Sequence, residues 1–185
     1  YNCATMKKIL SEILQFILIA VFIVLPIRLF IAQPFVVSGQ SMYPTFHDGD
    51  YLIVDQITYY LEDPERGSVA IFKYPYDTSK YFIKRIIGLP GETVVITNGV
   101  VTILNEEHPD GFTLDNSFVT EPQVDNLSTT LEEDEYFVMG DNRANSSDSR
   151  VWGALKKEYI VGRPFVRLLP VPDADMFPGY YSLTE

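Results

Sequence analysis

The run Thr93-Val94-Val95-Ile96-Thr97-Asn98-Gly99-Val100-Val101-Thr102-Ile103-Leu104 decides the fold class of this chain. Its β-branched residues favour extended backbone, and Asn98-Gly99 tolerates the positive φ angles that a two-residue hairpin demands. An antiparallel pair of strands follows. Working outward, Tyr51–Asp55, Val69–Tyr74 and residues 81–87, 136–139 and 164–169 also read as strands. Pro90-Gly91 suits a type II turn between two of them. The expected fold is therefore mainly β, an antiparallel barrel-like domain over residues 33–170. Residues 105–134 are long, polar and weakly patterned, and read as an insertion or surface subdomain. Residues 155–160 read as one short helix and 170–185 as a loose tail; no repeat or low-complexity tract is visible.

Composition narrows the function classes. The chain has 185 residues, 46% hydrophobic and 14% aromatic, which suits one domain or one domain plus an anchor and excludes disordered, collagen-like and mucin-like classes. A lone Cys3 forbids an intrachain disulfide. There are 14 Lys and Arg against 25 Asp and Glu, for a net charge of −11. Residues 86–142 hold twelve carboxylates and no Lys or Arg, so this stretch carries −12 and the remainder +1. A phosphate backbone would be repelled here, so no nucleic-acid partner is expected. The acidic run Glu132-Glu133-Asp134-Glu135 reads as a solvated loop with no catalytic role.

Residues 9–32 form the first landmark, with only Ser11, Glu12, Gln15 and Arg28 strongly polar. As a helix this stretch reaches about 36 Å, enough for a hydrocarbon core of about 30 Å. Arg28 lies near the far end, where its stem carries the guanidinium to the interface, and Pro26 is a kink position. Lys7 and Lys8 precede the span, so the positive-inside rule puts residues 1–8 in the cytoplasm and everything after Gln33 outside. A cleaved secretory signal fits less well, because the apolar stretch is too long and Ile31-Ala32-Gln33-Pro34 makes a poor processing site. A buried soluble helix fits less well still, since all-apolar helices are rare in so small a domain. Residues 1–5 read as an extension before a start at Met6, and Cys3 lacks the apolar segment of a lipid-attachment signal.

Candidate chemistry begins about nine residues beyond the span, at Ser38-Gly39-Gln40-Ser41-Met42-Tyr43-Pro44-Thr45. Gly39 permits a tight turn and Pro44 stiffens the exit, which would hold the Ser41 hydroxyl on a rigid loop. Without a partner base it is an ordinary loop serine. His47 sits in a turn, His108 lies in the acidic insertion, and no serine stands in a Gly-x-Ser-x-Gly elbow, so a Ser-His-Asp triad has little support. Lys84 is a better candidate base. Strand alternation puts Phe82, Lys84 and Ile86 on one face and Arg85 on the other. Apolar flanks desolvate an ammonium and lower its pKa by up to about 3 to 5 units, so such a lysine can be neutral near neutral pH. The plainer alternative is a lysine snorkelling from a sheet edge. A third cluster, Gly140-Asp141-Asn142-Arg143-Ala144-Asn145-Ser146-Ser147-Asp148-Ser149-Arg150, holds too many short polar residues for a plain connection and suits a buried hydrogen-bonded network.

In order and spacing, residues 38–45, Gly49-Asp50, residues 84–92 and residues 140–150 resemble the boxes of bacterial type I signal peptidases. The resemblance runs from the span to about Pro170, and the single span with its short insertion is similar to the Gram-positive, single-anchor form. It implies a membrane-bound serine endopeptidase with a Ser/Lys dyad on a mostly antiparallel β fold. Such an enzyme removes signal peptides from exported preproteins at the outer face of the cell membrane. By motif position Ser41 is then the nucleophile and Lys84 the general base. Ser146 matches a residue that orients the lysine amine by a hydrogen bond, and Asp148 and Arg150 match a supporting ion pair. Asp141, Asn142 and Arg143 belong to the same box. Some members carry an oxyanion-hole serine two residues before the nucleophile, where this chain has Gly39. The hole is then expected from the Ser41 backbone N–H, with Ser38 as a helper. The chemistry implied needs no metal or cofactor, and the scattered carboxylates show no ligand spacing.

An extended substrate adding as a strand would lie against Val36, Val37, Met42, Phe82 and Ile83, and the resemblance implies small residues at its cleavage site. The lipid bilayer is the other expected partner, since enzyme and substrate anchored in one membrane gain effective concentration. Three alternatives are weighed. A self-cleaving repressor or mutagenesis protease shares the dyad but is soluble, a conjugation-type maturation peptidase differs only in substrate, and a membrane-tethered β domain would bind without catalysis.

Overall fold

The computed structural model describes residues 3–24, 32–115, 117–119 and 123–181. Helix α1, Cys3–Ile19, opens the chain and runs into a π-helical turn at Ala20–Val24. Every side chain from Met6 to Val24 is exposed, large apolar ones such as Leu10, Phe16 and Phe22 among them. Among the described residues no helix is long and apolar enough to cross a membrane. The expected span at 9–32 coincides with α1 only in part, because residues 25–31 lie outside the described residues and Ala32 already belongs to a strand.

The strands, in chain order, are β1 (Ala32–Val36), β2 (Tyr51–Asp55), β3 (Val69–Tyr74), β4 (Asp77–Gly88), β5 (Thr93–Thr97), β6 (Val100–Leu104), β7 (Phe112–Thr113), β8 (Leu127–Thr130), β9 (Glu135–Met139), β10 (Leu155–Lys156), β11 (Ile160–Leu169) and β12 (Asp175–Met176). Two short helices, α2 (Thr58–Leu61) and α3 (Ser149–Trp152), lie in connections. All ladders are antiparallel.

The hairpin forms as the sequence demands. Asn98 and Gly99 adopt φ of 51° and 81°, Thr97 faces Val100, and Thr93 faces Leu104. One face of the pair, Val94, Ile96, Val101 and Ile103, is buried, as the two-residue period of a strand requires. Residues 105–134 contribute β7 and β8, which complete a four-stranded sheet in the order β7-β6-β5-β8. Its buried face packs on Ile87, Phe137 and Met139, which belong to the larger sheet, and so fuses the two sheets.

The larger sheet has the order β1-β2-β11-β3-β4-β9-β10, with β12 alongside β11. The barrel expected from the sequence is not closed by hydrogen bonds. Instead the path curls on itself, because β10 leads through the three residues Lys157–Tyr159 straight into β11, four places back in the strand order. The short helix expected at 155–160 is thus a strand and one 3-10 turn. Two apolar clusters line the curl. One holds Val37, Met42, Phe46, Leu52 and Val69, and the other Phe72, Ile86, Tyr136, Val138 and Trp152. Burying each such side chain stabilises the fold by about 1.5 to 3 kcal/mol.

The described part of the C-terminal stretch is bonded rather than loose. Met176 pairs with Val166, and the Phe177 N–H donates to the Phe165 carbonyl at 2.8 Å.

Candidate active site

Ser41 sits on the connection from β1 to β2. The Val37 N–H donates to the Asp50 carbonyl and the Gly49 N–H to the Val37 carbonyl, each at 2.9 Å, pinning the two ends of this loop together. At the loop's head Gly39 turns with φ of 94° while its N–H donates to Asp48 Oδ1 at 2.8 Å. Beyond Ser41 the Phe46 N–H donates to the Met42 carbonyl at 2.9 Å, a helical turn that drives Met42 and Phe46 into the core. From the far side, the Asn142 N–H donates to the Ser41 carbonyl at 3.0 Å. A Cβ on Gly140 would lie 2.4 Å from that same carbonyl oxygen, so only glycine lets the strand end approach the Ser41 loop this closely.

Lys84 reaches the loop from β4, paired opposite Ala70 of β3. Its Nζ lies 2.7 Å from Ser41 Oγ, donates to the Ile83 carbonyl at 2.9 Å, and stands 5.3 Å from the Phe82 ring centroid. Lys84 is only 4% exposed. Burial pushes its ammonium from the ordinary 10.5 down to about 8, while the Asp148 and Asp141 charges pull in the opposite direction. Near neutrality part of the population therefore holds a free amine against an alcohol.

The polar box beyond β9 forms three ion pairs around this contact. Asp148 caps α3 and accepts from the Gly140 N–H at 3.0 Å, from Arg150 Nε at 2.8 Å and from Arg150 Nη2 at 2.8 Å. Burial alone would raise its carboxyl, but the Arg150 guanidinium and the Gly140 N–H hold it below the ordinary value. Arg150 also binds Asp125 Oδ2 at 2.6 Å and the Arg143 carbonyl at 2.8 Å. On the opposite face of β4 from Lys84, Arg85 grips both oxygens of Asp141, Nε at 2.8 Å and Nη2 at 2.6 Å. Thr45 of the Ser41 loop donates to Asp141 Oδ2 at 2.5 Å. The sequence placed Asp141 in the box without a partner, and nothing local links it to Arg85, 56 positions away.

A cleft of about 550 Å³ opens over Ser41 and Lys84. Val36, Val37, Phe82 and Ile83 line it, and Ser38 stands at its wall. Met42 does not line it; it is buried beneath, because the turn that accepts from Phe46 points it inward. Gln40, Asn145 and Ser147 also face the cleft, polar residues that the strand pattern gave no reason to choose. Among the described residues β1 pairs on one side only, and β9 covers β4 only from Arg85 onward. Two unpaired strand edges thus border the cleft, with the Phe35 and Tyr81 rings 5.1 Å apart at its margin.

Ser146 departs from expectation. Its hydroxyl makes no hydrogen bond to the Lys84 amine, whose contacts are Ser41 and the Ile83 carbonyl. The Ser146 Oγ is buried, packed against Gly140, where a Cβ would lie 2.3 Å from it. It sits near enough to Asp148 to help lower that carboxyl, but outside hydrogen-bond geometry.

A hydroxyl held 2.7 Å from a buried amine beneath an apolar cleft is an arrangement that base-assisted nucleophilic hydrolases can use. The comparisons give the particular family. The family described as "Signal peptidase, peptidase S26" matches residues 10–169, and the chain belongs to it. Among curated relatives, a probable signal peptidase I-1 of Synechocystis sp. (strain ATCC 27184 / PCC 6803 / Kazusa) is 36% identical over 88% of this chain and 84% of its own. A signal peptidase I of Bacillus amyloliquefaciens is 38% identical over 85% of this chain and 84% of its own. Signal peptidase I T of Bacillus subtilis (strain 168) is 37% identical over 85% and 86%. Among solved structures, a signal peptidase I from Enterococcus faecalis V583 matches 55% of this chain and 97% of its own at 28% identity, with a TM-score of 0.46.

Proposed function

We propose that this chain is a membrane-bound serine endopeptidase that removes N-terminal signal peptides from exported preproteins, with Ser41 as nucleophile and Lys84 as general base. The observation that carries this reading is the 2.7 Å contact between Lys84 Nζ and Ser41 Oγ, made by an amine that burial holds near 8. Family membership supplies the substrate class.

The chemistry follows from the geometry. Neutral Lys84 takes the Ser41 Oγ proton as the oxygen attacks the scissile carbonyl carbon. The Ser41 backbone N–H, aided by Ser38, stabilises the oxyanion, each donor contributing about 3 to 4 kcal/mol. The carbon–nitrogen bond then breaks, and the Lys84 ammonium returns its proton to the departing amine. Water, deprotonated by Lys84, attacks the resulting ester and restores Ser41. Asp148, Arg150 and Ser146 hold the loop that buries the amine.

Substrate binds as an added strand between the free edges of β1 and β4, its backbone paired and alternate side chains entering the cleft. Val36, Val37, Phe82 and Ile83 leave room there for small side chains. The apolar helix α1, exposed on all its faces, supports a single membrane anchor with the N-terminus cytoplasmic and residues 33–170 outside. The bilayer is then a partner that brings enzyme and preprotein together.

The test is cleavage of a preprotein by the detergent-purified full chain, beside Ser41→Ala and Lys84→Met. Both variants are expected to lose activity by roughly a thousandfold or more, with the parent releasing a product cut after a small residue. Cleavage by Ser41→Ala at the parent rate contradicts the assignment.

A further inference from the structure

Arg85 is 0% exposed, and each of its five guanidinium N–H groups has an acceptor. Nε and one Nη2 hydrogen take the two Asp141 oxygens, and the other Nη2 hydrogen faces Thr45 Oγ1 at 3.5 Å. The two Nη1 hydrogens go to the Gly67 carbonyl at 2.6 Å and the Gly179 carbonyl at 2.7 Å. The last of these acceptors comes from the C-terminal stretch, 94 positions away. Tyr181, two residues further on, puts its ring 4.9 Å from the guanidinium carbon, beside the Phe118 ring at 4.4 Å.

The same stretch presses on the nucleophile loop. A Cβ on Gly179 would lie 2.8 Å from the Phe46 ring and 3.0 Å from Thr45 Cγ2. Gly179 has φ of 77°, a conformation that glycine adopts without strain. Phe46 closes the turn that directly follows Ser41, and Thr45 binds Asp141. Arg85 directly follows Lys84 on β4. One segment therefore touches both stretches that bear the Ser41 hydroxyl and the Lys84 amine.

We propose that residues 177–181 form a strap that positions the Ser41–Lys84 pair by completing the acceptor shell of Arg85 and backing the Thr45–Phe46 turn. This rests on the Ser41–Lys84 reading above. The strap touches no reacting atom; it acts through Arg85 and Phe46. Opening it leaves a buried guanidinium hydrogen without its acceptor and lets Arg85, Asp141 and Thr45 relax together. A shift of about 1 Å between nucleophile and base costs up to roughly a hundredfold in rate, while Arg85, Thr45 and Phe46, which the strap touches, do not line the cleft, so substrate binding is kept.

The experiment measures kcat and KM of the detergent-purified full chain on a peptide spanning a signal-peptide cleavage site. Variants end after Tyr181, end after Pro178, or carry Gly179→Ala, Tyr181→Ala or Tyr181→Phe. Rates are taken per folded enzyme, quantified from the Trp152 fluorescence transition. Ending after Tyr181 keeps the parent kcat. Ending after Pro178, Gly179→Ala and Tyr181→Ala each lower kcat by roughly tenfold or more with KM within about twofold, and Tyr181→Phe restores it. Parent kcat per folded enzyme in Gly179→Ala and Tyr181→Ala overturns the strap, even if the shorter chain fails to fold. A loss confined to KM overturns it too. Ser41→Ala run in parallel separates the two ideas: if that variant is active the dyad reading fails, and if it is inactive while the strap variants keep full kcat, the strap alone fails.

Discussion

Replacing Lys84 by methionine should abolish turnover and stabilise the protein at the same time. In the folded chain burial holds this amine at about 8, against 10.5 when it is solvated. Keeping it there costs roughly 3 kcal/mol wherever the unfolded lysine is charged and the folded one would have to be. The sign follows from proton counts. Below about pH 8 both states bind the proton and the full penalty applies. Between about 8 and 10.5 the unfolded chain still binds a proton that the folded chain has released, so parent stability rises by about 1.4 kcal/mol per pH unit. Above 10.5 both are neutral and this penalty is gone. Methionine has nothing to titrate and fills a similar volume, though it forfeits the contacts to Ser41 and the Ile83 carbonyl, together worth about 1 to 2 kcal/mol. Near pH 7 Lys84→Met is then more stable than the parent by about 1 to 2 kcal/mol, and the gap closes as pH rises. Urea unfolding followed by the single tryptophan, Trp152, across this range measures it. A parent–variant gap that stays constant from about pH 7 to 10 would refute the reasoning, because it would mean that the amine is not desolvated.

Other expectations follow from the same geometry. The neutral fraction of Lys84 is roughly one in ten near pH 7, so kcat/KM should climb about tenfold per pH unit up to about 8 and then level; a flat profile there excludes Lys84 as the base. Gly140→Ala drives a methyl against the Ser41 carbonyl and the Ser146 hydroxyl, and should lower kcat by roughly a hundredfold; a loss below about threefold means that this approach does not matter. Asp148→Ala leaves Arg150 with Asp125 as its remaining carboxylate and should cost about 3 to 5 kcal/mol in unfolding free energy, read from the same urea curves.

Local chemistry made part of this legible in advance. Asn98-Gly99 has no comfortable alternative to a tight hairpin, and strands β2, β3, β5 and β6 were bounded correctly because side-chain alternation is a short-range signal. β1 was hidden because Ala32–Val36 continues an apolar run that reads as the end of a helix. β7, β8, β10 and β12 are two to four residues long, too short for any period to register. In the site, Lys84 stood out because an ammonium flanked by Phe82 and Ile86 conflicts with simple partition, and the fold resolves the conflict by burying the amine against Ser41. Arg85 carried the same conflict on the other face, but its resolution lay in Asp141, Gly67 and Gly179, contacts that only the folded chain brings together. Met42 was misjudged for the converse reason: a loop residue beside a nucleophile reads as cleft lining until a backbone turn directs it into the core.

Lys84 can act as the base only if its amine is free of its proton while it touches Ser41. Titrating the Nζ resonance of isotope-labelled lysine in the full chain, with Lys84→Met to assign the signal, measures this directly. The midpoint should fall near 8; an amine that stays charged up to its ordinary 10.5 rules out Lys84 as the base.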